Sequence, residues 1–253
     1  MIAERITSRK NPLMVQIRKL TSSRSFRREQ GLFFGDGTKL LEEALRWSAP
    51  LTAVVVAEGT PVPELPGQIR LVEVPGDVMA SISPMESPQG VLFLSRLPDA
   101  VPPARLEENR YLILDGLQDP GNVGTIWRTA DALGADGLIL VNGCADPWNP
   151  KTVRATMGAC FRLPVYEETM ENLGGLLERS GLPLYATALR EDAADLRQAG
   201  LSRCAVAIGS EGRGVSRELL AISGKTLVIP MRERCESLNA AAAAAVVLWE
   251  MAR

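Results

Sequence analysis

From residue 110 the chain alternates short apolar runs with helix-like segments, and this rhythm constrains the fold more than any other feature. "RYLILDGL", "GLILVNG", "LPLYATAL", "RCAVAIGS" and "KTLVIPM" are strand-length and apolar nearly throughout. Among them lie "TIWRTADALG", "NPKTVRATMGA", "NLGGLLERSG", the second half of "EGRGVSRELLA" and "SLNAAAAAAVVLWEMA", all with helical patterning. A strand with one wet face alternates apolar and polar residues, whereas a strand apolar on both sides needs a helical layer over each face. The pattern therefore predicts an α/β domain built on a parallel sheet.

Upstream the rhythm differs. Leu13, Ile17 and Leu20 in "NPLMVQIRKLTSSRSFRREQG" recur at helical spacing with basic residues between them. "GLFFGDG", "LTAVVVAEG", "IRLVEVPG" and "GVLFLSRL" read as strands, and "TKLLEEALRW" as an amphipathic helix capped by Thr38. At 253 residues the chain has room for two ordinary domains. Residues 1–97 are expected to form a small mixed α/β domain, 98–108 in the proline-rich "PDAVPPARLEEN" a linker, and 109–253 the parallel-sheet domain.

Charge is distributed unevenly. Residues 1–28 hold eight Lys/Arg against one acid, Glu4, a local +7, so the remaining residues sum to −9 in a chain of net charge −2. A basic arm on an acidic body points to a polyanionic partner met through Arg9, Lys10, Arg18, Lys19, Arg24, Arg27 and Arg28, against the plainer reading of a solvated helix face. No stretch has the roughly 18–20 unbroken apolar residues of a membrane span. The opening "MIAERITSRKNP" lacks the apolar core of a signal peptide, and a cytoplasmic address is expected.

The chain contains no histidine, which excludes Ser-His-Asp and Cys-His catalysis and any imidazole proton shuttle. Cys144, Cys160, Cys204 and Cys235 are widely spaced, with no CxxC pair, so reduced structural thiols and no metal site are expected.

Ligands of an open parallel sheet gather beyond the carboxyl ends of its strands, where loops and helix N-termini converge. Three loops stand there. "DGLQDPGNVGTIWRTADALG" places Asn122 at a helix start and Arg128 about a turn and a half further on. "AIGSEGRGVS" sets Gly209, Gly212 and Gly214 around Glu211, where glycine allows close backbone approach and positive φ. It is neither GxxxxGK[ST] nor GxGxxG, which disfavours triphosphate hydrolysis and dinucleotide redox chemistry. "IPMRERCESLNAAAAAA" offers Ser237 as a helix cap with Asn239 just inside, then six alanines suited to a helix pressed between other elements.

Taken together, "NVGTIWRTADALG", "GSEGRG" and "IPMRERCESLN" resemble, in order and separation, the three motifs of the SpoU (TrmH-type) family of RNA ribose 2′-O-methyltransferases, within the SPOUT superfamily. The N-terminal "ITSRKNPLMVQIRKL…GLFFGDGTKLLEEAL" is similar to the RNA substrate-binding domain that often precedes it, with Asp36-Gly37 where the family usually has Glu-Gly. The resemblance implies a deep trefoil knot in the parallel-sheet domain, S-adenosylmethionine bound in it, and a homodimer formed through the C-terminal helix. It implies cofactor contacts from Thr187, Gly209, Ile229, Met231, Ser237 and Leu238. It also implies catalytic roles for Arg128, Asn122, Glu211, Ser237 and Asn239. In the family account the motif-one arginine activates the 2′-hydroxyl; a guanidinium is a poor base, and an electrostatic role for Arg128 stands beside that account. Asn122 would hold Arg128 or the ribose, and Glu211 would fix Arg128 or Asn239. "RERCE" is the least family-like stretch, since a Gly often follows the Met.

The leading expectation is thus an S-adenosylmethionine-dependent RNA 2′-O-methyltransferase, acting on rRNA rather than tRNA. The alternatives are an RNA-binding protein that has kept the fold without catalysis, and methylation of a base on the same fold.

Overall fold

The computed structural model describes residues 3–85, 88–232 and 237–253. The chain forms two compact units: Met1–Pro98 with Trp148–Phe161, and Asp99–Pro147 with Arg162–Arg253. In chain order the first segment contains β1 (Glu4–Arg5), α1 (Pro12–Ser22), α2 (Arg24–Gln30), β2 (Leu32–Asp36), α3 (Thr38–Arg46), β3 (Leu51–Ala57), β4 (Arg70–Val74), α4 (Gly76–Ile82) and β5 (Val91–Arg96). There follow β6 (Arg110–Asp115), α5 (Pro120–Ala132), β7 (Gly137–Val141), α6 (Pro150–Ala155), β8 (Val165–Glu167), α7 (Met170–Ser180), β9 (Leu184–Thr187), β10 (Ala194–Asp195), β11 (Cys204–Gly209), α8 (Arg217–Ile222), β12 (Lys225–Val228) and α9 (Ala240–Ala252).

The first unit is a mixed sheet in the order β1-β4-β3-β5-β2, with β5 antiparallel to both of its neighbours. One face carries Phe34, Val55, Val72, Leu92 and Leu94 against Met14, Ile17, Met79 and Ile82 of α1 and α4. Strand residues alternate faces, so Phe33 and Phe93 point the other way. There the Phe33 ring lies 4.6 Å from Trp148, and Phe161 lies 6.2 Å from Phe33 and 6.3 Å from Phe93, centroid to centroid. The Trp148–Phe161 segment, including α6, therefore folds with this unit although it stands inside the 109–253 block of the sequence. The basic helical stretch divides at Ser23, whose extended backbone and side chain cap α2 by accepting from Phe26 N at 3.2 Å. Thr38 is the first residue of α3 and not its cap; Gly37, at φ 103, holds that position without a side-chain bond.

The second unit is the expected parallel sheet, in the order β10-β12-β9-β11-β6-β7-β8. Its central strands are buried along their length, as their unbroken apolar runs require. At the last rung Asp115 stands between Gly209 of β11 and Val141 of β7. Trp127 of α5 is fully buried and its indole N–H donates to Leu163 O at 3.0 Å, which satisfies the one polar atom of a large apolar side chain. Helix α9 is held by Ala240, Ala241, Ala244, Val247, Leu248 and Met251, and packs beside α5. Cys144, Cys160 and Cys204 are buried and outside any disulfide; Cys235 lies outside the described residues. No helix among the described residues is long and apolar enough to cross a membrane.

Candidate active site

The carboxyl ends of β9, β11 and β12 open into a cavity of about 430 Å³ within the second unit. A cavity of a few hundred Å³ with mostly apolar walls and few polar groups is the usual form of a small-molecule site. All six residues expected at a cofactor line it: Thr187 at the end of β9, Gly209 at the end of β11, Ile229 and Met231 after β12, and Ser237 and Leu238 before α9. Ala240 and Ala243 complete the wall from the first turns of α9. The alanine run thus has two uses: Ala240 is both core and cavity wall, with no side chain long enough to fill the space.

The loop after β11 is shaped by itself. Gly214 N donates to Ser210 O at 2.8 Å, and the two residues form an isolated bridge that folds the loop back. A Cβ on Gly209 would stand 1.9 Å from the Gly214 carbonyl carbon and 2.1 Å from Val215 N. Gly209 is therefore demanded by the loop's own backbone, and Gly214 by its φ of 67. Gly212 has no positive φ, and a Cβ there would meet no described atom within 4 Å. The Thr187 hydroxyl is already engaged, donating to Ala207 O at 2.9 Å.

Glu211, at the tip of this loop, lines the cavity and accepts a hydrogen bond from Asn122 Nδ2. Asn122 Oδ1 in turn accepts from Asn239 Nδ2 at 3.3 Å. One residue from each of the three sequence motifs thus joins a single chain, Glu211–Asn122–Asn239. Their backbone positions follow from the caps. Asp119 caps α5, its side chain accepting from Gly121 N at 3.0 Å, which leaves Asn122 in the first turn with its amide free to reach outward. Asn239 caps α9 by accepting from Ala241 N at 2.9 Å and Ala242 N at 3.4 Å. That corrects the expectation for Ser237, which stands two residues before the cap, exposed in the cavity wall. Leu238 is exposed there too, an apolar side chain in the cavity wall.

Arg128 is not part of this chain. It is exposed on α5 and makes no hydrogen bond or ion pair with a described residue, so neither Asn122 nor Glu211 holds it. Of the "RERCE" stretch only Arg232 is described; residues 233–236 lie outside the described residues. The sequence reading missed Asp115 and Asn142, which brace the glycine loop. The signals for them were present: Asp115 is an acid closing an apolar strand, and Asn142-Gly143 follows the next.

In the first unit Arg9, Lys10, Lys19, Arg24 and Arg28 are exposed and Arg18 is half-buried. Arg9 pairs with Asp77 at 2.8 Å, Arg18 Nη2 donates to Arg9 O at 2.6 Å, and Lys19 Nζ stands 5.4 Å over the Phe26 ring. Arg27 departs from the expectation. It is 3% exposed, and its guanidinium donates to Leu20 O, one of the carbonyls left without a partner in the last turn of α1. Its charge serves helix packing, and it does not belong to the exposed basic surface.

The chain is similar to known proteins along most of its length. Residues 109–249 match the SpoU rRNA Methylase family, and residues 11–92 match the MRM3-like substrate binding domain. The 23S rRNA (guanosine(2553)-2'-O)-methyltransferase RlmP of Bacillus subtilis is 32% identical, over 98% of this chain and 99% of that one. Among solved structures, an AdoMet-bound rRNA methyltransferase from Sinorhizobium meliloti superposes with a TM-score of 0.86 at 32% identity, covering 98% of this chain and 97% of that one. The SpoU methyltransferase AviRb from Streptomyces viridochromogenes, in complex with AdoMet, gives 0.83 at 26% identity, over 96% and 97% of the two chains.

Proposed function

The chain belongs to the SpoU rRNA methylase family, and from that premise we propose that it is an S-adenosylmethionine-dependent RNA 2′-O-ribose methyltransferase that acts on rRNA. The observation that carries the proposal is the cavity lined by Thr187, Gly209, Ile229, Met231, Ser237 and Leu238, joined through Glu211 to Asn122 and Asn239. The residues present fit the cofactor. Ile208, Val215, Leu227 and Leu238 offer apolar surface for a purine, and glycine and alanine leave the space open. When bound there, the cofactor supplies an electrophilic methyl group on a sulfonium.

The chain's own residues would do the rest. Asn122 and Asn239, fixed to each other and to Glu211, present a rigid polar edge for a ribose. Arg128, which has no partner among the described residues, would take the adjacent phosphate and stabilise negative charge as it develops on the 2′-oxygen. A guanidinium stays charged under ordinary conditions, which suits it to electrostatic work rather than to proton abstraction. Lys10, Arg18, Lys19, Arg24, Arg28 and Arg9 would hold the RNA backbone; the match of residues 11–92 to a substrate-binding domain supports that use of the first unit. The charge of such contacts makes affinity fall steeply with salt.

Two finer features belong to the second unit. A trefoil knot is implied by the resemblance to the SPOUT superfamily, and a parallel strand order in which β12 pairs with β9 and not with β11 is compatible with it. A homodimer through α9 is supported by a helix apolar except for Glu250, whose Trp249 and Val246 are 63% and 41% exposed on the face turned from the core. A cytoplasmic address accords with the bacterial relative.

Arg128→Ala tests the assignment. Methyl transfer to RNA should fall by roughly 100- to 1000-fold, while cofactor affinity measured by calorimetry stays within about twofold of the parent. Retained transfer with lost cofactor binding would sink the proposal. Nuclease digestion and mass spectrometry of the product should find 2′-O-methyl nucleosides; a methylated base would point to the other chemistry.

A further inference from the structure

Outside the cavity lining, where β6 and β7 end, lies a polar cluster that the reaction does not use directly. The Asp115 carboxylate is 3% exposed at the end of β6, a position where a buried charge needs full compensation. Its Oδ2 accepts the Ser216 backbone N–H at 2.6 Å, and its Oδ1 accepts Asn142 Nδ2 at 2.7 Å. The same Asn142 amide reaches Ser216 Oγ at 3.2 Å, and that Oγ accepts from Leu219 N at 3.3 Å to cap α8. Three separate chain segments, the ends of β6 and β7 and the start of α8, therefore meet on one carboxylate.

The backbone is bent to make this meeting. Asn142 has a φ of 53, one of three non-glycine residues with positive φ among the described residues, and Gly143 follows at 72. A left-handed asparagine is tolerated yet uncommon, and such conformations persist where the surroundings hold them. Here the hold is visible: the turn aims the Asn142 amide at Asp115 and Ser216.

Ser216 closes the glycine loop whose other end, Gly209, stands beside Asp115 in the sheet register. That loop supplies Gly209 and Glu211 to the cavity, and Glu211 holds Asn122. We propose that Asp115, with Asn142 as its brace, is a positioning residue that pins the Ser216 end of the Gly209–Ser216 loop to the strand paired with its Gly209 end, and so sets the cofactor wall and the orientation of Glu211. A charge-assisted hydrogen bond to a backbone N–H is stronger than a neutral one, and it fixes the loop without entering the cavity. This inference rests on the cofactor reading above for its consequence, but not for its geometry.

The test uses the full chain without ligand first. Asp115→Asn keeps the shape but removes the charge and leaves one oxygen where there were two, so only one of its two contacts keeps an acceptor on this side chain. Amide hydrogen exchange should then accelerate at least about tenfold in residues 209–216, the effect of losing one hydrogen bond to a charged group, while β2 and β5 of the first unit exchange as before. Calorimetry with S-adenosylmethionine should show a dissociation constant raised by about tenfold, with RNA affinity unchanged. Asn142→Gly keeps the left-handed turn and the carboxylate but removes the brace, and should give a smaller loss of the same kind, about threefold. Wild-type exchange rates in the loop for both variants would overturn the proposal. So would acceleration spread evenly over both units, which marks general destabilisation. Should Asp115→Asn fail to fold, Asn142→Gly decides alone by the same criteria. If the parent protein does not bind the cofactor, the cofactor reading fails while the exchange experiment still judges the clamp.

Discussion

Gly35 and Gly209 both stand where no side chain fits, and the neighbours that exclude one differ in kind. In the first unit a Cβ on Gly35 would meet the Phe93 ring, with Cζ at 2.1 Å. In the second a Cβ on Gly209 would meet the backbone of Gly214 and Val215. The first glycine makes room for a core aromatic, and its consequences are confined to packing. The second lets a loop fold onto its own strand and thereby makes a cavity wall. The same residue type marks core in one sheet and site in the other, and only the identity of the crowding atom distinguishes them.

That contrast can be broken experimentally. Phe33→Ala should have the largest effect on stability, about 3–5 kcal/mol, because the ring contacts both Trp148 and Phe161. Denaturant unfolding measures it, and cofactor affinity of the folded fraction should not change. Gly209→Ala should weaken cofactor binding by roughly 100-fold with little change in the unfolding of the first unit. A result in which Gly209→Ala only lowers the melting temperature would erase the distinction between the two glycines. Gly35→Ala should cost about 1–3 kcal/mol, since the Phe93 ring must shift, and should leave calorimetric cofactor binding intact.

The smallest effect concerns the thiols of the second unit. Burial pushes the Cys144 thiol up to about 11 and the Cys204 thiol up to about 12. Both are held protonated more tightly in the folded state than in the unfolded one. Their contribution to stability is therefore complete below the ordinary thiol value of 9.0 and is lost as pH rises through the folded values. At pH 8, mass spectrometry should find both sites slow to alkylate in folded protein and fast in denaturant. Rapid labelling of either in the folded chain would contradict its burial.

The parallel sheet was legible because its strands are apolar on both faces, and a one-dimensional pattern reports that directly. Five of the six cavity residues were legible because the family motifs carry them in order; Thr187 lies outside the three motifs and was expected from the resemblance alone. Other features depend on partners far along the chain. β1 and β10 are two residues each, too short for any period to register, and exist only through pairing with β4 and β12. Arg27 looked like one more cation in a basic run, because sequence does not show that the last turn of α1 leaves a carbonyl within its reach. Ser237 and Asn239 are both good caps by type, and the structure gives the cap to Asn239, whose Oδ1 takes the first helical N–H groups while its amide N–H donates to Asn122.

The aromatic segment Trp148–Phe161 has a practical consequence for modularity. Cutting the chain at its proline-rich stretch would look like a clean separation of two blocks, but it would leave Trp148 and Phe161 without the Phe33 and Phe93 rings they cover. A truncated second block would then carry an orphaned aromatic patch and should aggregate for reasons unrelated to RNA. Conversely, a chimera that borrows residues 1–98 from a relative must borrow its counterpart of 148–161 as well. The unit of exchange in this protein is discontinuous: two pieces of sequence that travel as one surface.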